Sequence, residues 1–191
     1  MGSQKAKLSG YGVLSLPKTI LAYGEYPWCY LDAIGEMVNL ILEVIEKNES
    51  DCIVIEEVNI AKARYSQKAL DSLHCLLLLR LQGKGHKVYY ISSSEWRHIL
   101  GLTMTAQDKK NNGKLSKLKS KSDLTTVSGR SEFSKEKKKL GVRGKINKKH
   151  VAIRYVNETY SMNLKQKDDD VADAICLGLS FFRGALLCDG T

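Results

Sequence analysis

Cys52-Ile53-Val54-Ile55-Glu56-Glu57 is the stretch whose reading decides the fold. Four apolar residues run without a break, three of them β-branched, as in a strand buried on both faces of a sheet. The run ends in acid. Glu56 falls at the carboxyl end of the predicted strand, where open α/β sheets place their ligands, although a strand end also accommodates a plain surface acid.

Working outward, Tyr65 to Gln82 carries Leu70, Leu73, Leu76, Leu77 and Leu81 at helical spacing, and Gly83 follows its end. Leu76 to Leu79 is apolar nearly all round, which implies deep burial or a subunit interface. His74 on this helix reads as a core or interface histidine. Val88-Tyr89-Tyr90-Ile91 predicts a second strand, and Ser92-Ser93-Ser94 supplies caps for a short helix with Trp96, Ile99 and Leu100. Upstream, Ile34, Met37, Val38, Ile41, Leu42 and Ile45 form the stripe of a helix over Asp32 to Lys47. Before it, Gly10 to Leu16 and Thr19 to Tyr26 flank Pro17-Lys18 and predict a hairpin. Strands alternating with helices predict an α/β or mixed-sheet fold, and 191 residues are most simply one domain.

The pattern breaks after Gly101. From Lys109 to Lys149 there are 15 Lys/Arg against 3 Asp/Glu, a local charge of +12 in a chain of net +9, so the remainder carries −3. The basic character belongs to one insertion, about residues 103–149, with a possible helix at Ser134 to Leu140. It reads either as a solvated insertion or as a nucleic-acid-contacting segment whose lysines neutralise phosphates. Lys109, Lys110, Lys114, Lys117, Lys119, Lys148 and Lys149 are the candidates. Lys148 to Val156 resumes a helical pattern.

That pattern leads into Lys167-Asp168-Asp169-Asp170-Val171-Ala172-Asp173-Ala174-Ile175-Cys176-Leu177. Asp168 and Asp169 suit a helix start. Asp170 and Asp173, three apart, share a helix face. Asp173 sits among apolar neighbours, and an unpaired carboxylate is very costly to bury. A cation would offset that cost, and oxygen donors favour magnesium or manganese. The alternative is an N-cap plus a partnered structural acid. Five scattered cysteines, Cys29, Cys52, Cys75, Cys176 and Cys188, indicate neither a disulfide framework nor a zinc site. No apolar run nears the ~20 residues of a membrane span, and Met1 to Lys5 lacks a signal-peptide core. A cytoplasmic protein without membrane contact is expected. Binding phosphate through divalent metal and cutting it is the chemistry that unites the acids with the lysines.

In three segments the chain resembles the RuvC-type Holliday junction resolvases of the ribonuclease H-like superfamily, in a bacteriophage-encoded form. Gly2-Ser3 with Gly10-Tyr11-Gly12-Val13 is similar to the family's first hairpin signature. Val54-Ile55-Glu56-Glu57-Val58-Asn59-Ile60-Ala61-Lys62 resembles its strand-end glutamate segment, and Asp170-Val171-Ala172-Asp173-Ala174-Ile175 its Asp-x-Ala-Asp-Ala helix. The resemblance implies a ribonuclease H-like five-stranded mixed sheet flanked by helices. It also implies catalytic, metal-binding Glu56, Asp170 and Asp173 with two magnesium (or manganese) ions per site. The partner it implies is branched DNA, a four-way junction cut in paired fashion by a homodimer that uses the Tyr65 to Gln82 helix. Lys62 and Arg64 would face the junction, the basic insertion would add duplex-arm contacts, and the setting would be the host bacterial cytoplasm.

One position departs from the family pattern. Its first catalytic aspartate precedes the Gly-Ser pair, where this chain has Met1, so the first strand is expected to be truncated. Metal and junction binding with poor cleavage is the resulting expectation. Two alternatives stay open: a branched-DNA-binding protein without activity, and a ribonuclease H-like nuclease with another nucleic-acid substrate.

Overall fold

Residues 6–16, 25–57, 64–142 and 144–188 are described by a computed structural model, and they are mostly helical. Among these residues helix makes up 65%, in seven α-helices, with a two-stranded parallel sheet. In chain order these are α1 (Trp28–Lys47), β1 (Cys52–Glu56), α2 (Arg64–Gly83), β2 (Lys87–Ile91) and α3 (Ser93–Ile99). They are followed by α4 (Ala106–Lys121), α5 (Val127–Lys139), α6 (Lys148–Tyr160), a 3-10 turn at Gln166–Asp168, and α7 (Asp169–Cys188). No helix among the described residues is long and apolar enough to cross a membrane.

The expected five-stranded ribonuclease H-like mixed sheet is therefore corrected. Among the described residues the sheet has two strands, β1 and β2, paired in parallel with Cys52 opposite Lys87 and Glu56 opposite Ile91. The hairpin does not form over Gly10 to Leu16, which has no strand; Thr19 to Gly24 lies outside the described residues. Physically, Tyr11 and Val13 are exposed by 62% and 71%, so the β-prone side chains of that run have no apolar surface to bury against. Strand propensity of this kind needs packing to express itself. From Tyr26 onward the chain turns into α1, four residues earlier than its apolar stripe predicts.

The chain divides into two compact units. The first comprises residues 1–96 and 177–191. Its core is the stripe of α1 (Val38, Leu42, Ile45) packed on Leu77 and Leu81 of α2, with Ile53, Ile55 and Val88 of the sheet against it. Each such side chain contributes roughly 1.5–3 kcal/mol when fully buried. The all-apolar run of α2 is split in use: Leu77 and Leu81 are buried, whereas Leu79 is 61% exposed. His74 is half-buried, its ring 6.0 Å from that of Tyr90, in keeping with a packing role.

The second unit comprises residues 97–176 and includes the basic stretch. Reading 103–149 as an insertion misses α4 and most of α5, because their inward faces are largely polar. α4 opens with a capping box: Thr105 Oγ1 accepts from the Asp108 N–H, and Asp108 accepts from the Thr105 N–H. Further along, Asn112 donates to the Ile146 carbonyl at 2.7 Å and accepts from the Ile146 N–H at 2.8 Å. α6 supplies the apolar part, burying Val151, Ala152, Ile153 and Val156. It ends on Ser161 in the left-handed region (φ 54°), and Asn157 clamps the Leu164 backbone in both directions.

Candidate functional site

Glu56 ends β1, as its sequence predicts, and is half-buried. The fully buried Trp96 donates its indole N–H to Glu56 Oε1 at 3.3 Å. Parallel pairing of β1 with β2 brings Glu56 opposite Ile91, and the chain then runs directly into α3, which carries Trp96. The carboxylate is thus held from within its own unit.

In the second unit, the 3-10 turn and the start of α7 concentrate Asp168, Asp169 and Asp170, and Asp173 follows one turn later. Their surroundings differ sharply. Asp170 has a side chain 89% exposed, with Lys149 Nζ at 3.5 Å. Asp169 takes the closer contact with Lys149, at 2.5 Å, and that hydrogen bond lowers the Asp169 carboxyl and raises the Lys149 amine. Asp173 is only 16% exposed, and Arg97 Nη2 donates to its two carboxylate oxygens at 3.3 and 3.4 Å. The cation that a carboxylate in this apolar setting requires is present. It is the guanidinium of Arg97. One turn on, burial pushes the Cys176 thiol up to about 12, with the Asp173 charge adding to the effect.

The third feature is α4. Lys109, Lys110, Lys114, Lys117, Lys119 and Lys121 are all exposed, and the helix's one acid, Asp108, is turned inward. Arg154 of α6 grips Asp108 at 2.8 and 3.4 Å, and this hydrogen bonding holds the Asp108 carboxyl down at about 2. No acid is therefore left on α4 to neutralise its lysines. α5 differs, since its Lys139 pairs with Glu136 at 2.7 Å.

Of the residues predicted from sequence, Asp170 and Asp173 share the start of α7 in the second unit, and Glu56 belongs to the first. Lys109, Lys110, Lys114, Lys117 and Lys119 lie together on α4, Lys148 is exposed at the start of α6, and Lys149 is engaged by Asp169 and Asp170. Lys62 lies outside the described residues, and Arg64 opens α2. Among the described residues, no three His, Cys, Asp or Glu side chains converge as a metal site. The carboxylate oxygens of Asp170 and Asp173 are nonetheless the donor type that hard divalent ions take.

Two contributors, Arg97 and Lys121, are absent from the candidates read off the sequence. Arg97 stands 76 positions from Asp173, and nothing local ties them. Lys121 was legible: it continues the 4-3-4 spacing of Lys110, Lys114 and Lys117, behind the Thr105-x-x-Asp108 cap. Comparison with protein-family models, with curated proteins and with solved structures finds no match.

Proposed function

We propose that this protein is a divalent-metal-dependent endonuclease acting on branched DNA, four-way junctions above all, as a homodimer. The observation that carries the reading is that one compact unit holds both an acidic helix start, Asp170 and Asp173, and a lysine-rich helix without accessible acid. Lysines bind phosphate, and paired carboxylates bring the metal that phosphodiester hydrolysis uses. Neither feature alone is specific. Together with the strand-end Glu56 and the resolvase-type spelling of both acidic segments, they favour a nuclease.

In this reading the chain's groups divide the work. The α4 lysines hold the backbone of a DNA arm. Asp170, exposed, and Asp173, ion-paired with Arg97, are the ligands for magnesium or manganese. Arg97 would have to give up part of its hold on Asp173 for that. Glu56, fixed by Trp96 in the first unit, is the further acid that the resolvase-type spelling assigns to the reaction. The metal, when bound, supplies Lewis acidity and a hydroxide near neutral pH. The exposed Leu79 face of α2 is the apolar surface offered to a second copy.

A second reading, a branched-DNA binder that does not cut, is favoured by one observation: Arg97 already satisfies Asp173. Incubating the chain with a synthetic four-way junction in magnesium, with binding measured in calcium, separates the two. Paired cuts that Asp170→Asn suppresses at least 100-fold, without change in thermal midpoint, are expected of the nuclease. Asp170 suits that control because its side chain is 89% exposed and supports little structure. Binding without cuts would select the second reading, and no preference for branched DNA over a plain duplex would remove both.

A further inference from the structure

We infer that the outer face of α4 is a phosphate-tracking surface for an arm of duplex DNA, built from Lys110, Lys114, Lys117 and Lys121. The inference rests on the nucleic-acid reading above and specifies which surface meets the duplex.

Helix geometry selects those four. At 100° per residue they fall within about 60° of one another, along about 16 Å of axis. Lys119 projects from a different side. The half-buried Leu118 and Leu115 and the buried Asp108 lie to one side of the stripe, about 70° to 150° from its centre. Like charges at i,i+3 and i,i+4 destabilise a helix, and this stripe has three such pairs in succession. Among the described residues, none of the four lysines has an ion pair to offset that repulsion, whereas Lys84, Lys139 and Lys149 pair with Glu46, Glu136 and Asp169. A bound polyanion relieves the repulsion.

The mounting is firm. Arg154 on Asp108 and the two-way hydrogen bonds of Asn112 with Ile146 tie the first half of α4 to its unit. Four cations in line on a fixed helix suit a stiff, regular row of phosphates, spaced 3.4 Å along the axis per strand of a duplex. The exposed positions that flank the stripe are Ala106, Gly113 and Gln107, and the small Ala106 and Gly113 leave room on one side for a phosphate backbone. An anionic membrane is the poorer partner. A helix lying in a lipid interface needs Trp, Phe or Leu on the face it inserts, and both leucines of α4 are turned inward.

The test is the salt dependence of binding by the full chain to a 20-base-pair duplex and to a four-way junction, in calcium. Lys110, Lys114, Lys117 and Lys121, changed together to Gln, should reduce the slope of log K against log salt by about 3–4, as expected for four lost phosphate contacts. A control with the same loss of charge changes the exposed Lys7, Lys47, Arg80 and Lys87 to Gln, all in the first unit. It should alter the slope by less than one. Circular dichroism of both variants should match the parent, as all eight side chains are exposed. Equal losses in the two variants, or an unchanged slope for the α4 variant, would overturn the inference while leaving DNA binding itself intact. So would tighter binding to vesicles containing anionic lipid than to duplex at the same salt. If the parent chain bound no DNA at all, the proposed function would fall first.

Discussion

The two compact units are held together by different means. In the first, α1 and α2 meet through Val38, Leu42, Ile45, Leu77 and Leu81, none more than 8% exposed. In the second, α4 and α5 bury almost nothing apolar of their own, and Asp108–Arg154 and Asn112–Ile146 do the tethering. Apolar packing is non-directional and leaves the outer face free to vary. Directional polar tethers hold a helix in place without using its lysine-rich surface. The second arrangement suits a unit whose exposed face must stay charged.

Removing an apolar contact from the first unit should give the largest effect. Leu81 is fully buried in the α1–α2 core, and Leu81→Ala should cost about 2–5 kcal/mol. Both tryptophans, Trp28 and Trp96, belong to the first unit, so urea unfolding followed by fluorescence reads this core. A loss under 1 kcal/mol would mean that the apolar stripe is not what holds the unit.

The same contrast explains what a reader of the sequence could recover. α1, β1, α2, β2 and α6 announce themselves through apolar periodicity or an unbroken β-branched run, and each appears within a few residues of its predicted place. The placement of Glu56 at a strand end and of Asp170 and Asp173 in the first turns of a helix was legible for the same reason, since the elements themselves are recognisable. α4 was hidden because its inward face is Asp108, Asn112, Leu115 and Leu118, too polar for a hydrophobic stripe. Arg97 was hidden because an ion pair across 76 residues leaves no local pattern. The hairpin failed in the opposite sense: Tyr11 and Val13 have the propensity and lack the surface.

A tether of the second unit should count for less than a core leucine, and its contribution should depend on pH. Asp108→Ala removes a bidentate partner of Arg154 and half of the α4 capping box, costing roughly 2 kcal/mol at neutral pH. The folded carboxyl lies at about 2, below the value near 4 of an unfolded aspartate. Its stabilisation is therefore complete above about pH 4 and is lost as pH falls towards 2. Part of the ion-pair share is screened, since the Arg154 side chain is 38% exposed. Hydrogen exchange of the α4 and α6 amides, compared between parent and variant at pH 6 and pH 3, should show the gap narrowing in acid. A gap of constant size would mean that the cap, and not the charged pair, holds α4.

The smallest effect expected is a gain. Gly113 sits at the middle of α4 on its exposed face, and a Cβ there would meet nothing within 4 Å. Glycine inside a helix is less favourable than alanine by about 0.8–1.0 kcal/mol, so Gly113→Ala should slow exchange of the surrounding α4 amides by up to about fivefold. In the first unit a residue so placed would be judged on packing alone. In the second, Gly113 lies beside Lys110 and Lys117 on the face proposed to carry duplex DNA, and stability and affinity become separate readings. If the lysine tips alone reach the phosphates, the stiffer Gly113→Ala helix should bind duplex at least as tightly as the parent at every salt concentration. Slower exchange joined to weaker binding would mean that the phosphate backbone approaches α4 closely enough for a methyl group to stand in its way.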